Sequence, residues 1–167
     1  MYLSMVLNVQ FSDHRQVTFK KPATAVYKSH NLKNDLLSTP ERRVLWLSKT
    51  YEGSLNDKKI CNNQPIHFPS GITLMQDTGF LGHNPINVTV MMPSKMPKGK
   101  ELSDEKKENN RSISSFRVLV EHAIGGVKRC HIVKDRFICH KFGFDDLVME
   151  LTCGQHNLRI MLNNSDI

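Results

Sequence analysis

The sequence predicts an α/β domain. Three observations support this: short apolar runs at Arg43–Tyr51, Ile72–Gln76 and Val88–Met92, two long stretches of helical periodicity near 102–124 and 144–162, and turn-forming residues between them. At 167 residues and 39% hydrophobic content, the chain is large enough to bury one core without disulfide support.

Residues 1 to 40 show little periodicity. Val17-Thr18-Phe19 reads as a short strand ended by Lys20-Lys21-Pro22, and Asn31 to Pro40 reads as loop. Arg43 to Tyr51 is a β-branched and aromatic strand stopped by Glu52-Gly53-Ser54, after which Asn56 or Ser54 caps a short helix through Asp57–Cys61. Pro65 to Gly71 is loop. Ile72 to Gln76 has the pattern of a strand buried on both faces, with Asp77 at its C-terminal end. Asp77 to Gly82 turns the chain into the Val88–Met92 strand, and a basic linker follows at Pro93–Gly99.

Ser103 N-caps a long helix whose first turn carries Asp104 and Glu105, complementing the helix dipole. It runs to Ile124 and ends at, or passes through, Gly125-Gly126. A last amphipathic helix spans Phe144 to Leu162, with Leu147, Val148, Leu151, Leu158 and Met161 as its inner face.

The balance of 23 Lys+Arg against 16 Asp+Glu gives a net charge of +7, which favours polyanionic partners, nucleic acid before acidic membrane surface. The first eleven residues lack a basic leader and a small-residue cleavage site, and no run approaches the roughly 18 apolar residues of a membrane span. A soluble, intracellular protein with no membrane partner is expected. Cys61, Cys130, Cys139 and Cys153 form no Cys-x-x-Cys pair and read as reduced thiols.

Two acids stand out. Glu121 sits on an otherwise apolar helical stripe with Arg117 one turn before it and Lys128 two turns after, and Asp77 closes a strand where open α/β sheets place ligands. Carboxylates from different elements suit hard divalent cations and phosphodiester chemistry on ions roughly 3.5–4 Å apart. The plainer reading of the same residues is a turn-opening Asp and a surface ion-pair stripe.

Several words carry a family resemblance. They are Leu45-Trp46-Leu47-Ser48 through Lys58-Lys59, Asp77-Thr78-Gly79-Phe80-Leu81-Gly82, Pro97 to Leu102, Asn110 to Arg129 and His156-Asn157-Leu158-Arg159. In this order they resemble the C-terminal portion of DDE-type transposases of the bacterial insertion-sequence and Harbinger-like group, over about Asn31 to Ile160. The resemblance implies an RNase H-like mixed sheet flanked by helices, incomplete at the N-terminus. Residues 1–30 would then be a poorly matching segment, residues 31–167 a truncated catalytic domain, and the helical DNA-binding region would be missing.

It also implies an Asp, Asp, Glu triad holding Mg²⁺ or Mn²⁺, with transposon ends and target DNA as partners. Asp77 matches the second acid, Glu121 the third, and Lys128 the basic residue that follows. The first acid lies in an Asp-x-Thr-Glu-like word that has no clear counterpart here. Asp13 is the one acid upstream of Asp35 and is the candidate for that ligand, against the commoner reading of a solvated turn Asp. Asp57 falls in a word usually written His-Asp and reads as structural or near the site.

Arg117, Lys98 and Lys100 are candidate DNA contacts beside Lys128. The family context allows a homo-oligomer, and a location in the cytoplasm or nucleoid of a bacterium or the nucleus of a eukaryote. Cys130-His131 and Cys139-His140 lack zinc-knuckle spacing, and Trp46, Tyr51 and Phe80 read as core rather than base-stacking residues. Two functions stay open at this point: a metal-dependent endonuclease and strand-transfer domain, or a catalytically dead remnant that binds DNA or protein.

Overall fold

The computed structural model describes residues 9–15, 30–94, 102–134, 139 and 141–165. The expected Val17–Phe19 strand and the Lys98 and Lys100 linker positions lie outside them. The class is mixed α/β. Among the described residues seven strands, β1 (Val9–Arg15), β2 (His30–Asn34), β3 (Leu36–Ser38), β4 (Val44–Leu47), β5 (Tyr51–Glu52), β6 (Ile72–Met75) and β7 (Val88–Met91), accompany four α-helices, α1 (Asp57–Asn63), α2 (Asp104–Val127), α3 (His131–Lys134) and α4 (Phe144–Ser165). Among the described residues the strands form three small sheets, ordered β1-β2-β5, β3-β4 and β6-β7.

The stretch expected as loop, Asn31 to Pro40, is β2 and β3. Its middle is polar, so no apolar alternation announces it, yet Lys33, Asn34, Asp35 and Ser38 are all buried. Strand pairing and side-chain bonds satisfy much of that polarity. Asn34 Nδ2 donates to Ser48 O (3.1 Å) and Thr50 Oγ1 (2.9 Å), and Ser48 Oγ accepts from the Asp35 N–H at 2.8 Å. The same contacts divide the expected Arg43–Tyr51 strand into β4 and β5. Ser48 leaves the ladder, its N–H donating to Asp35 O at 2.8 Å, and pairing shifts from Leu36 opposite Leu47 to Lys33 opposite Tyr51.

Neighbouring strand residues point to opposite faces, and β3 uses this to join two parts of the core. Leu36 packs with Val44, Val127, Met149 and Cys153 from β4, α2 and α4. Leu37 packs with Cys61, Leu74 and Phe80 from α1, β6 and the turn after β6. Phe80 is a core residue, as read, and Trp46 packs against the same cluster.

Helix ends follow their caps. Asn56 accepts from the Lys58 N–H at 2.9 Å and starts α1, whereas Ser103 occupies the N-cap of α2 without a side-chain hydrogen bond. α2 passes through Gly125-Gly126 to Val127. β6 and β7 run parallel, with Ile72 opposite Val88 and Met75 opposite Met91. A parallel pair needs a crossover, and residues 76–87 provide it.

The inner face of α4 keeps Val148 and otherwise differs from the expected one. Leu147, Leu151, Leu158 and Met161 are exposed, while Val148, Met149, Thr152, Cys153 and His156 are buried. The reason is the fit to α2: Gly126 leaves the space that the His156 ring occupies, and Met149 and Cys153 of the same stripe pack with Val127. Apolar content favours the leucine stripe; geometry selects its neighbour.

That fit gives an unusual sign. Alanine in place of an interior helical glycine ordinarily stabilises by about 1 kcal/mol. A Cβ on Gly126 would overlap His156 Nδ1 and Cε1, so Gly126→Ala is expected to destabilise by about 2–3 kcal/mol through overpacking and loss of the histidine's hydrogen bond. Gly125, where a Cβ meets nothing within 4 Å, is expected to show the ordinary gain. Paired urea denaturation of the two variants checks both signs.

Candidate active site

Asp77 follows the end of β6 and opens a 3-10 turn at Thr78–Phe80, with its Oδ1 accepting from the Thr78 N–H at 2.7 Å. The turn is held from below. Phe80 is fully buried, its N–H donates to Asp77 O at 3.1 Å, and His83 N–H donates to Phe80 O at 2.9 Å. Gln76 Nε2 and His83 Nδ1 lie 2.8 Å apart. Burial, followed by the nearby Lys58 charge, lowers the His83 pKa. The neutral ring accepts that bond and fixes the far end of the turn.

Beneath the turn lies a buried ion pair. Asp57, the first residue of α1, pairs with Lys33 of β2, whose Nζ also donates to Leu55 O at 3.3 Å. Gly79 is required here because a Cβ would overlap the Asp57 carboxylate. Asp57, read from sequence as structural or near-site, therefore supports the Asp77 turn directly.

α2 packs against the end of β6, where Met75 and Val120 form a buried cluster with Met91, Phe116 and Ile124 against it. Arg117 Nη1 stands 3.8 Å from Asp77 Oδ1. Glu121 is one helical turn beyond Arg117 on the same side. It is exposed, which corrects the apolar-stripe reading: the buried stripe of α2 is Ile113, Val120, Ala123 and Val127, and Glu121 lies on its flank. Lys128 is the C-cap residue of α2.

Asp13 lies in β1, in the irregular stretch between the Phe11–Leu32 and Arg15–His30 pairs. Its side chain lies outside the described part of the structure. Among the described residues no group of three His, Cys, Asp or Glu is arranged to hold a metal ion. Asp77 and Glu121 still offer suitable donors, since carboxylate oxygens are what hard divalent cations take. Asp77 Oδ2 and the Glu121 carboxylate have no hydrogen-bond or ion-pair partner among the described residues.

On the other flank of Glu121, α2 and α4 enclose a cleft of about 410 Å³ lined by Glu121, Gly125, Arg129, His156, Arg159 and Arg42, among others. Sequence reasoning missed it because its walls come from distant segments. Arg42 belongs to the β3–β4 turn and has a left-handed backbone, φ 69°, uncommon for a residue with a side chain. His156 Nε2 holds the Arg42 carbonyl at 2.8 Å. Asn157 clasps Val44 with two 2.8 Å bonds, accepting from its N–H and donating to its C=O. Arg159 Nη2 donates to Gly126 O at 2.6 Å. The His156-Asn157-Leu158-Arg159 word thus joins α4 to β4 and to α2. A glycine kept inside a helix at Gly126 was the available signal.

A strand-end aspartate, a glutamate one helical turn beyond the arginine that reaches it, and an arginine-lined cleft define a protein equipped to meet a polyanion. The chain belongs to the DDE superfamily endonucleases, whose family model matches residues 13–157. It is also 27% identical over 108 residues, 65% of its length, to the probable transposase for insertion sequence element IS702 of Microchaete diplosiphon. That match spans 39% of the relative's own length. No solved structure gives a significant match. No helix among the described residues is long and apolar enough to cross a membrane.

Proposed function

We propose that the chain carries the catalytic portion of a transposase, cleaving DNA at transposon ends and joining the freed 3′-hydroxyl to target DNA with Mg²⁺ or Mn²⁺. One observation supports it most: the end of β6 meets α2 so that Arg117, one turn from Glu121, reaches Asp77 at 3.8 Å. In this reading Asp77 and Glu121 serve as the family's second and third acids. Asp13 is the proposed first acid, and the family match begins at this residue. In this reading the three small sheets belong to one RNase H-like sheet, with residues 31–167 and the β1 strand as the catalytic portion.

Asp77 and Glu121 would hold a divalent ion through carboxylate oxygens. When bound, the ion would supply activation of water or a 3′-hydroxyl and charge stabilisation at the leaving oxygen. The Thr78 N–H fixes one oxygen of Asp77, and Arg117 balances its charge. Lys128, Lys98 and Lys100 contact phosphates of the DNA.

A Mn²⁺-dependent nicking assay on supercoiled plasmid tests the assignment. Asp77→Ala and Glu121→Ala are each expected to reduce nicking by about 10²–10³-fold, the scale of losing one transition-state charge stabiliser. Equal nicking by all three proteins would sink it. A second reading, a DNA-binding remnant that no longer cuts, draws on Arg117 occupying the place beside Asp77 that a cation would take. It expects plasmid binding without nicking in all three.

A further inference from the structure

Arg42, Arg129 and Arg159 line one cleft, in which Glu121 is the single acid among the lining residues. None of the three arginines is ion-paired with a carboxylate among the described residues, and Arg159 spends one donor on Gly126 O. Like charges gathered without a counter-ion repel one another. Their field is also felt by the histidine between them: beyond burial, the largest cause, and against the hydrogen bond to Arg42 O, all three arginines push the His156 pKa down. The fold nonetheless fixes this arrangement through the His156 bond to the Arg42 carbonyl and the Arg159 bond to α2.

We propose that the α2–α4 cleft is a binding subsite for the phosphodiester backbone of DNA, with Arg42, Arg129 and Arg159 as its phosphate contacts. This rests on the DNA-directed reading above and assigns the path of the strand beyond Glu121. Guanidinium forks match phosphate oxygens in pairs, and a phosphate supplies the counter-charge that no carboxylate among the described residues gives these arginines through an ion pair. Glu121 lies within α2 and Val127 closes the helix six residues on, about 9 Å along its axis at 1.5 Å per residue, with Arg129 just past the end. That span covers about three phosphates at 3.4 Å of axis rise per strand. A strand placing its scissile phosphate at Glu121 therefore lays the next phosphates across the cleft.

Fluorescence anisotropy of a labelled DNA duplex, titrated with the whole chain across a salt series in EDTA, tests the subsite without requiring catalysis. Arg42→Gln and Arg129→Gln are each expected to weaken binding several-fold and to flatten the slope of log affinity against log salt by about 0.9. Gly125→Glu puts a carboxylate into open space at the cleft wall, leaves every arginine in place, and is expected to weaken binding similarly. Arg111→Gln, which removes an exposed partner of Glu108 nearer the start of α2, is expected to change neither affinity nor slope by more than a single exposed surface charge does. No duplex binding by the unsubstituted chain would overturn both the subsite and the DNA reading. Binding whose affinity and slope are unchanged in Arg42→Gln, Arg129→Gln and Gly125→Glu would overturn the subsite and leave the DNA reading standing.

Discussion

Lys33→Met is expected to destabilise the protein by about 3–5 kcal/mol, because removing one partner of a buried ion pair strands the other charge. Lys33 is 4% exposed and Asp57 6%, so water cannot replace the lost ammonium without opening the core. Methionine keeps the unbranched stem and lacks only the terminal ammonium position, so the loss falls mainly on charge and the hydrogen bond to Leu55 O. Removing both charges together should recover much of the loss, so the double variant Lys33→Met, Asp57→Asn is expected to be more stable than Lys33→Met alone. Chemical denaturation of the four proteins provides the cycle, and a single-variant loss below about 1 kcal/mol would rule out a buried pair of this kind. The effect also has a direction in space. Because Asp57 lies against Gly79, losing the pair is expected to loosen the Asp77 turn, seen as faster amide exchange at Phe80 and Leu81.

That pair marks where the sequence became illegible. Local signals were enough for α1, because the Asn56 cap and the helix it starts are neighbours in the chain. They were also enough for β6, a short apolar run closed by Asp77. β2 and β3 were hidden because Lys33, Asn34 and Asp35 read as solvated loop until Ser48, Thr50, Asp57 and Cys61 arrive to bond them. The α4 face was misread for a related reason: leucine content points one way, while His156 bonds Arg42 of the β3–β4 turn and Asn157 bonds Val44 of β4, 114 and 113 residues away. At the candidate site, Asp77 and Glu121 fall in words that carry the family resemblance. Arg42 was not, since only the folded β3–β4 turn carries it to the α2–α4 cleft.

Asp35→Asn is expected to become progressively more stabilising, relative to the natural residue, as pH rises from about 4 to about 7. The Asp35 carboxyl is pushed up from 3.8 to about 7, first by burial and then by the Asp57 charge, against the opposing pull of Lys33 and the Cys61 hydrogen bond. The sign follows from proton counting. Between those pH values the folded chain retains a proton that the unfolded chain has released, so this group lowers stability as pH increases, by about 1.4 kcal/mol per unit. Above pH 7 both states are ionised and the penalty is constant, on the order of 4 kcal/mol. Cys61 does not confuse the window, because burial and the neighbouring Asp35 push its thiol up to about 12. Other carboxylates titrate in both proteins, so the informative quantity is the difference between their stability curves from urea denaturation. A difference that widens through this range and then levels identifies Asp35 as the buried titrating group. Parallel curves would mean that Asp35 is ionised in the fold at every pH tested, with Lys33 shared between two buried carboxylates.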